Sequence, residues 1–416
     1  MHRINALMRI NSKFSIFNLA ESNSSRMIQL DILRGVAIIL VLFLHSILPT
    51  KESGSLEPVL SYLRYLGPSG VDLFFVLSGF LVGGLLMKEV HDKKCLDVRR
   101  FLVRRGFKIF PSYFVYLFFV FFFLQVLNHL SFTDSFLVLM PNFVHLQNYL
   151  GSPRIHTWSL AVEEHFYLIL PFLILWLTIK REKKRNSISF LPFICLAVFV
   201  ICAILRFYSY AYLLHRNPNS THLRIDSLFF GVMLAYFYHF KPEKLQFVVL
   251  HRAKLMFFGS ILLMIYPALI IIDQGRLIVW TIGPIILYVS YGCFLLAMIY
   301  TPVGSGRFGK WFEGYSARIL AFIGFFSYPI YLWHLDANYP LEFLLRRFSL
   351  TGLPAEIRWI SIFVIYLILG TAVGVIFGIL LEKPSLALRD RLFPSRTTLP
   401  VKSSMDNENQ RQKPAR

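Results

Sequence analysis

The chain alternates long apolar runs with short polar segments, and this alternation predicts a bundle of membrane-spanning helices. A helix needs about 20 predominantly apolar residues to cross the hydrocarbon core of a bilayer. Runs of this length or slightly shorter lie near residues 35–50, 71–88, 109–127, 159–179, 188–205, 225–241, 255–273, 277–300, 319–335 and 358–381. The pattern therefore predicts an all-α, polytopic integral membrane protein with about ten transmembrane helices.

Composition supports this class. Of the 416 residues 56% are hydrophobic and only 16% are charged, with 42 Phe, and the mean hydropathy is +0.58. These values exclude an ordinary soluble globular protein. Cys195, Cys202 and Cys293 fall inside predicted spans and Cys95 in a loop, so neither a disulfide framework nor a metal site is predicted.

The net charge of +20 is distributed unevenly. Basic residues gather in the N-terminal segment, in the loops after the second, fourth and sixth apolar runs, and in the C-terminal tail. The positive-inside rule then predicts that both termini are cytosolic. The basic clusters sit at membrane boundaries, where they serve as topology signals, so they do not favour nucleic-acid binding. Residues 1–26 are polar and basic, and no cleavable signal peptide is expected.

Three segments are predicted on this basis. Residues 1–27 form a cytosolic N-terminal segment, and residues 28–385 form the transmembrane domain. Residues 386–416 are rich in Pro, Ser and charge, and are predicted to be a disordered cytosolic tail.

Arg34 and His45 interrupt the first apolar run, LDILRGVAIILVLFLHS. Eleven steps of about 100° bring a helix back to within about 20° of its starting direction, so the two side chains share one stripe about 16 Å long. Ionisable groups inside a membrane helix usually face a protein interior and mark function. The alternative is an interfacial arginine and a histidine that is satisfied by a neighbouring helix.

Further polar residues are expected at the same outer level as His45. His156, Ser159 and Glu163 begin the fourth run, and Ser159 and Glu163 share a face, from which Glu164 is expected to point away. The ninth run ends with Ser327, Tyr331 and His334 on an i, i+4, i+7 pattern.

Other polar groups have simpler interpretations beside functional ones. Arg224 and Asp226 could pair locally at the start of the sixth run, and Gly79-x-x-x-Gly83 is a helix-packing motif. Arg104, Arg105 and Lys108 precede the third run at the level of Arg34. Such a cluster can bind the phosphates of a ligand or only lipid headgroups.

Seven motifs follow one another between about residues 28 and 385. They are Asp31-x-x-Arg34 with His45, GVDLFFVLSGFL at 70–81, RRGFKIFPSY at 104–113, HTWSLAVEEHFYLILP at 156–171, RIDSLFFG at 224–231, FSYPIYLWH at 326–334 and Glu382-x-Pro384. Each motif is weak alone, but the ordered set is specific. Together they resemble the acyltransferase-3 family of membrane O-acyltransferases.

The resemblance implies a multi-pass enzyme of the bacterial inner membrane. It implies transfer of an acyl group, usually acetyl, from cytosolic acyl-CoA to a hydroxyl of an extracytoplasmic glycan or lipid-linked sugar. Lipopolysaccharide O-antigen and exopolysaccharide are such acceptors. Acyl-CoA would be a donor substrate, and no bound cofactor is expected.

By position, Arg34 and His45 match the family's Arg–x10–His motif, and Glu163 matches the acid of its WSL motif. Arg105 and Lys108 fall on its Arg-x-x-Arg pair, with Lys in place of the second arginine. We therefore assign His45 as the general base, Glu163 as the group that orients it, and Arg34, Arg105 and Lys108 to acyl-CoA. Ser159, Arg224, Asp226 and His334 are assigned to the acceptor or to structure. No convincing nucleophile lies near His45, which favours direct transfer.

Two other functions remain open at the level of sequence. A multispan protein with a polar cavity could transport a glycolipid or an anion, although no internal repeat is visible. The chain could also be an inactive scaffold or sensor, against which the intact His45 and Glu163 argue.

Overall fold

A computed structural model describes residues 27–46, 55, 57–179, 187–212, 217–273, 277–348, 350 and 352–394. The regular structure of these residues is helical without any strand, which confirms the all-α fold. The longer helices are α1 Ile28–His45, α2 Glu57–Leu66, α3 Ser69–Lys93, α4 Val98–Val126, α5 Phe132–Phe143, α6 Trp158–Ile179, α7 Leu191–Tyr212, α8 Asp226–Phe240, α9 Gln246–Asp273, α10 Gly283–Ile299, α11 Tyr315–Phe325, α12 Ser327–Trp333, α13 Asn338–Arg347, α14 Ala355–Phe377 and α15 Lys383–Leu392.

The helices of the described residues are those of a polytopic membrane protein. Seven are long and apolar enough to cross a membrane, and the bent pair Tyr315–Phe325 and Ser327–Arg347 makes eight if it is one span. The described part of each of the ten predicted runs falls on a helix, but α8 and α10 have only 15 and 17 residues, fewer than the about 20 that a membrane span needs. The number of spans and the cytosolic location of both termini remain predictions.

Glycines allow helix backbones to approach each other closely at the centre of the bundle. A Cβ atom added to Gly79 of α3 would lie 1.9 Å from the carbonyl oxygen of Leu228 in α8, and Gly83 faces Val232 of the same helix. Small residues at this spacing are typical of close helix packing in membranes. The structure therefore confirms Gly79-x-x-x-Gly83 as a packing motif.

A second close contact joins α1 to α11. A Cβ atom on Gly324 would lie 1.8 Å from the carbonyl oxygen of Asp31, and one on Gly35 would lie 2.2 Å from that of Leu320. Only glycine fits at such a crossing. The contact places Arg34, the neighbour of Gly35 on α1, beside the end of α11.

Two irregular turns shape the region next to α1. The chain bends by 62° between α11 and α12, and a single π-helical turn, Gly378–Glu382, joins α14 to α15. Such π turns often occur at functional sites. Helix α15 continues past the predicted tail boundary at residue 385, whereas residues 1–26 and 395–416 lie outside the described part of the chain.

Candidate active site

A cavity of about 160 Å³ lies between α1, α3, α4, α6 and α12. Apolar side chains form part of its wall, among them Val71, Phe74, Leu81, Ile109, Leu160 and Phe325. Its charged lining consists of three cationic and three acidic residues, namely Arg34, Arg105, Lys108, Glu163, Glu164 and Glu382. A cavity of this composition suits a ligand that has both an apolar part and several charges.

The cations of the cavity come from α1 and α4. Arg34 lies 3.6 Å from a carboxylate oxygen of Asp31, one turn earlier on α1. The guanidinium carbon of Arg105 stands 4.1 Å above the ring centroid of Tyr167. Lys108 follows Arg105 by one helical turn and lines the same cavity. The structure thus brings together the three residues that were assigned to acyl-CoA from the sequence.

Arg104 does not join this group, although it is the immediate neighbour of Arg105. Its guanidinium donates to the carbonyl oxygen of Phe393 and lies 3.2 Å from a carboxylate oxygen of Asp390 in α15. The guanidinium of Arg100 likewise donates to the carbonyl oxygen of Pro394. The basic cluster of α4 is therefore divided between the cavity and the C-terminal helix.

The acidic residues of the cavity differ from the sequence expectation. The hydroxyl of Tyr167 donates to Glu163 Oε2 at 2.5 Å, and the two residues are one turn apart on α6. Glu164 also lines the cavity, whereas helical spacing had it pointing away. The cavity contacts more than one face of α6. Glu164 therefore still lines it, although its side chain points about 100° away from that of Glu163.

Three histidines gather next to the cavity, and they do not line it. His45 Nδ1 lies 2.9 Å from the carbonyl oxygen of Val41 and 3.2 Å from His334 Nε2. His334 Nδ1 in turn lies 2.7 Å from the carbonyl oxygen of Tyr331. The ring of His156 lies 5.2 Å from that of His334, centroid to centroid, and its Nε2 is 3.2 Å from the carbonyl oxygen of Leu332.

This arrangement differs from the expected pairing of His45 with Glu163. Within the described residues no direct hydrogen bond joins the two side chains, since Glu163 accepts from Tyr167 and the neighbour of His45 is His334. Glu163 is one turn further along α6 than Ser159, away from the end of that helix where His156 lies. Helical spacing predicts a shared face, but it leaves this difference in depth undetermined.

Tyr331 connects the cavity with the histidines. Its hydroxyl donates to the carbonyl oxygen of His156 at 2.6 Å, and it lies 2.6 Å from Ser159 Oγ. A carbonyl oxygen can only accept, so the tyrosine proton is used there and Ser159 donates to Tyr331. Both Ser159 and Tyr331 line the cavity, and Tyr331 is one turn before His334.

Arg224 and Asp226 lie outside the cavity lining and are held in buried ion pairs. Arg224 Nη2 lies 2.9 Å from a carboxylate oxygen of Asp72, and Arg206 Nη1 lies 2.8 Å from a carboxylate oxygen of Asp226. The Asp72 carboxylate also accepts from Ser227. These contacts join α7, α8 and α3, which favours the structural interpretation of Arg224 and Asp226.

Several cavity residues carried no assignment from the sequence. Glu164, Tyr167 and Tyr328 line the cavity, and Glu382 enters it from the π-helical turn. Two sequence features could have indicated the acidic residues. Glu164 is a second ionisable residue within an apolar helix, and Glu382 belongs to the Glu382-x-Pro384 motif. The tyrosines resemble ordinary core aromatics in sequence.

With this geometry described, comparison with known proteins identifies the family. The sequence profile of the acyltransferase-3 family, described as an acyltransferase domain, matches residues 27–379. The chain belongs to the acyltransferase-3 family. The match covers every cavity residue except Glu382 and Leu386, so the cavity lies almost wholly within the family domain.

The individual relatives share only about a quarter of their aligned residues with this chain. The chain is 27% identical over 322 residues to a Staphylococcus aureus strain COL protein named "Putative O-acetyltransferase". It is 26% identical over 323 residues to the O-acetyltransferase OatA of Staphylococcus aureus strain NCTC 8325. Each match covers 70% of this chain and 51% of the relative, so the chain matches about half the length of these relatives. No solved structure matches the chain.

Proposed function

We propose that this acyltransferase-3 protein is a bacterial inner-membrane O-acetyltransferase. In this proposal acetyl-CoA is the donor on the cytosolic side, and the acceptor is a hydroxyl of an extracytoplasmic glycan or lipid-linked sugar. The names of the Staphylococcus relatives support O-acetyl transfer as the reaction type. Membrane lipids surround the helices, and the donor enters as a substrate.

The observation that carries the proposal is a cavity with three cations in its lining that lies next to a cluster of three histidines. Arg34, Arg105 and Lys108 supply positive charges to the lining of the cavity. Ser159 and Tyr331 form its wall next to His334 and His45. Guanidinium and ammonium groups bind phosphates, and imidazole is the commonest general base. Transfer from a phosphorylated donor requires both features within one site.

The cations have separate tasks in this mechanism. Arg105 and Lys108 bind CoA phosphates, the arginine through its planar fork and the lysine as a point charge. Arg34 binds closer to α11 and contacts the donor along the path of its pantetheine arm. The carboxylates of Glu163, Glu164 and Glu382 balance the charge of the three cations before the donor arrives. In place of orienting His45, Glu163 orders Tyr167, over which Arg105 stacks.

His45 performs the proton transfer. Its imidazole takes the proton of the acceptor hydroxyl as that oxygen attacks the thioester carbonyl. A C–O bond forms and the C–S bond breaks, so the acetyl group passes directly to the acceptor and CoA leaves as a thiolate. The His45 imidazolium returns its proton to that thiolate, which regenerates the base and gives CoA-SH.

Membrane vesicles that contain the protein test the proposal with two readouts. Release of free thiol from acetyl-CoA reports donor use, and mass spectrometry of surface glycans from a deletion strain reports the loss of acetyl groups from the acceptor. We expect thiol release that is lost in His45→Ala and retained in His91→Ala, because His91 is exposed at the end of α3. Glycans of unchanged mass together with no thiol release would overturn the proposal.

A further inference from the structure

We infer that His334 is the positioning residue of His45: it accepts a hydrogen bond from Nδ1–H of His45 and so leaves Nε2 as the basic nitrogen. This inference rests on the proposed function, because it takes His45 as the base. In this inference His334 orients His45 and does not bind the acceptor. The sequence had assigned that orienting role to Glu163.

The tautomer of His334 follows from its neighbour on the backbone. Its Nδ1 lies 2.7 Å from the carbonyl oxygen of Tyr331, and a carbonyl oxygen can only accept a hydrogen bond. The proton of neutral His334 is therefore on Nδ1, and its Nε2 carries a lone pair. This carbonyl is available because α12 ends at Trp333, and the last four carbonyls of a helix lack partners within it.

The same argument applies to His45. Its Nδ1 lies 2.9 Å from the carbonyl oxygen of Val41, one turn earlier on α1, and because a carbonyl oxygen can only accept, this nitrogen also carries the proton. The second atom near Nδ1 is His334 Nε2 at 3.2 Å, which is the acceptor lone pair derived above. The Nδ1–H of His45 is thus shared between two acceptors, and the two assignments are mutually consistent only in this arrangement.

This arrangement prepares His45 for proton abstraction. With the proton on Nδ1, Nε2 is the unprotonated nitrogen that can receive the acceptor proton. When Nε2 is protonated, the positive charge of the imidazolium is stabilised through Nδ1–H by the Val41 carbonyl and the His334 lone pair. The His334 ring is fully buried, and Tyr366 donates to its backbone carbonyl at 3.2 Å. It therefore holds its position while His45 changes charge.

Three substitutions of His334 separate positioning from structure. The amide oxygen of His334→Gln reaches the place of Nε2 and can accept from His45. The shorter His334→Asn amide reaches only the place of Nδ1, so it keeps the contact with the Tyr331 carbonyl and loses the one with His45. His334→Leu loses both contacts, and His91→Leu is the matched control at an exposed site.

We expect His334→Leu and His334→Asn to lower kcat for acetyl-CoA about 10- to 100-fold with little change in KM. The loss is smaller than the ~10⁴-fold effect of altering the orienting group of a Ser-His-Asp triad, because the Val41 carbonyl remains. His334→Gln should recover most of the wild-type kcat. Equal loss in the Gln and Asn variants, or a change confined to KM, would overturn the inference.

A measurement without turnover keeps this test separate from that of the proposed function. We expect 15N NMR of the histidine-labelled full chain to show neutral His45 and His334, both protonated at Nδ1, with assignments from His45→Gln and His334→Gln. An Nε2-protonated ring at either position would refute the inference whatever the activity. If both rings show the expected tautomer while wild-type vesicles release no thiol from acetyl-CoA, the proposed function fails and the hydrogen-bond arrangement stands.

Discussion

The hydroxyls of Ser159 and Tyr331 lie 2.6 Å apart, which joins the wall of the cavity to the backbone that holds the histidines. Ser159 is at the start of α6, and Tyr331 is in the short helix α12 after the 62° bend. The tyrosine also donates to the backbone of His156. Loss of this hydrogen bond would therefore alter both the wall of the cavity and the position of His334.

Tyr331→Phe tests this connection. The substitution removes the partner of a buried serine and of a buried carbonyl, and we expect it to lower the free energy of unfolding by about 1–3 kcal/mol. Acetyl transfer per folded protein should fall as well. Thermal unfolding in detergent and thiol release measure the two effects, with the exposed Tyr212→Phe as control. Unchanged stability and turnover would show that the contact contributes to neither.

Arg104 and Arg105 form a matched pair of neighbours. Arg105→Ala should raise KM for acetyl-CoA, because it removes a cation that lines the cavity. Arg104→Ala should leave KM unchanged and loosen α15, whose Asp390 it contacts. Initial rates across acetyl-CoA concentrations, together with limited proteolysis near the C-terminus, distinguish the two outcomes. A larger KM effect from Arg104→Ala than from Arg105→Ala would show that Arg104, and not Arg105, contacts the phosphate.

Lys108 gives a second test of phosphate binding. Lys108→Arg should preserve or lower KM for acetyl-CoA, since an arginine offers a planar fork to a phosphate where lysine offers a point charge. Lys108→Ala should raise KM. Both are measured as acetylated glycan per inserted protein. A Lys108→Arg variant as impaired as Lys108→Ala argues against a simple phosphate contact.

His45→Ala should nearly abolish acetyl transfer and leave insertion intact. General acid–base groups contribute about 10²–10⁴-fold to rate, so the loss should far exceed that of His91→Ala. Half-burial of the His45 side chain makes a large loss of stability unexpected. Thiol release per unit of monodisperse protein is the measurement, and wild-type activity in this variant would remove His45 as the base.

Asp226→Ala distinguishes a structural role from acceptor binding. Asp226 and Arg206 have relative side-chain exposures of 0% and 2%, so removing one partner leaves a buried charge and should cost about 3–5 kcal/mol of unfolding free energy. The double change Arg206→Met with Asp226→Leu should recover much of this loss. Thermal unfolding decides the matter, and a stable Asp226→Ala protein that fails only in acceptor use would restore the binding role.

Helical periodicity predicted the direction of many side chains and left their depth undetermined. The shared stripe of Arg34 and His45 is consistent with a cavity at one residue and a histidine cluster at the other. Glu163 was instead expected beside His45 because both were assigned to the same outer level, although the carboxylate accepts a hydrogen bond from Tyr167. Depth depends on how far each helix slides along its neighbours, and that is determined by contacts such as Gly324 against Asp31.

Other parts of the site were beyond local sequence rules for a different reason. The bend before α12 and the π turn at Glu382 are produced by tertiary packing, whereas propensity describes only a straight helix. The roles of Arg104 and Arg105 also depend on where α15 docks. The roles of two neighbouring residues of the same type can be distinguished only when the residues around each of them are known.

Docking of α15 has a practical consequence for any shortened form of this chain. Its Leu386 forms part of the cavity wall, and the carbonyl oxygens of Phe393 and Pro394 accept hydrogen bonds from Arg104 and Arg100 of α4. Cutting the chain before residue 386 would remove this wall residue and also the carbonyl acceptors of Arg100 and Arg104. The uncovered arginines of the truncated protein would then bind CoA, nucleotides and other polyanions nonspecifically. Affinities for CoA measured on a truncated protein would therefore exceed the affinity of the full-length protein.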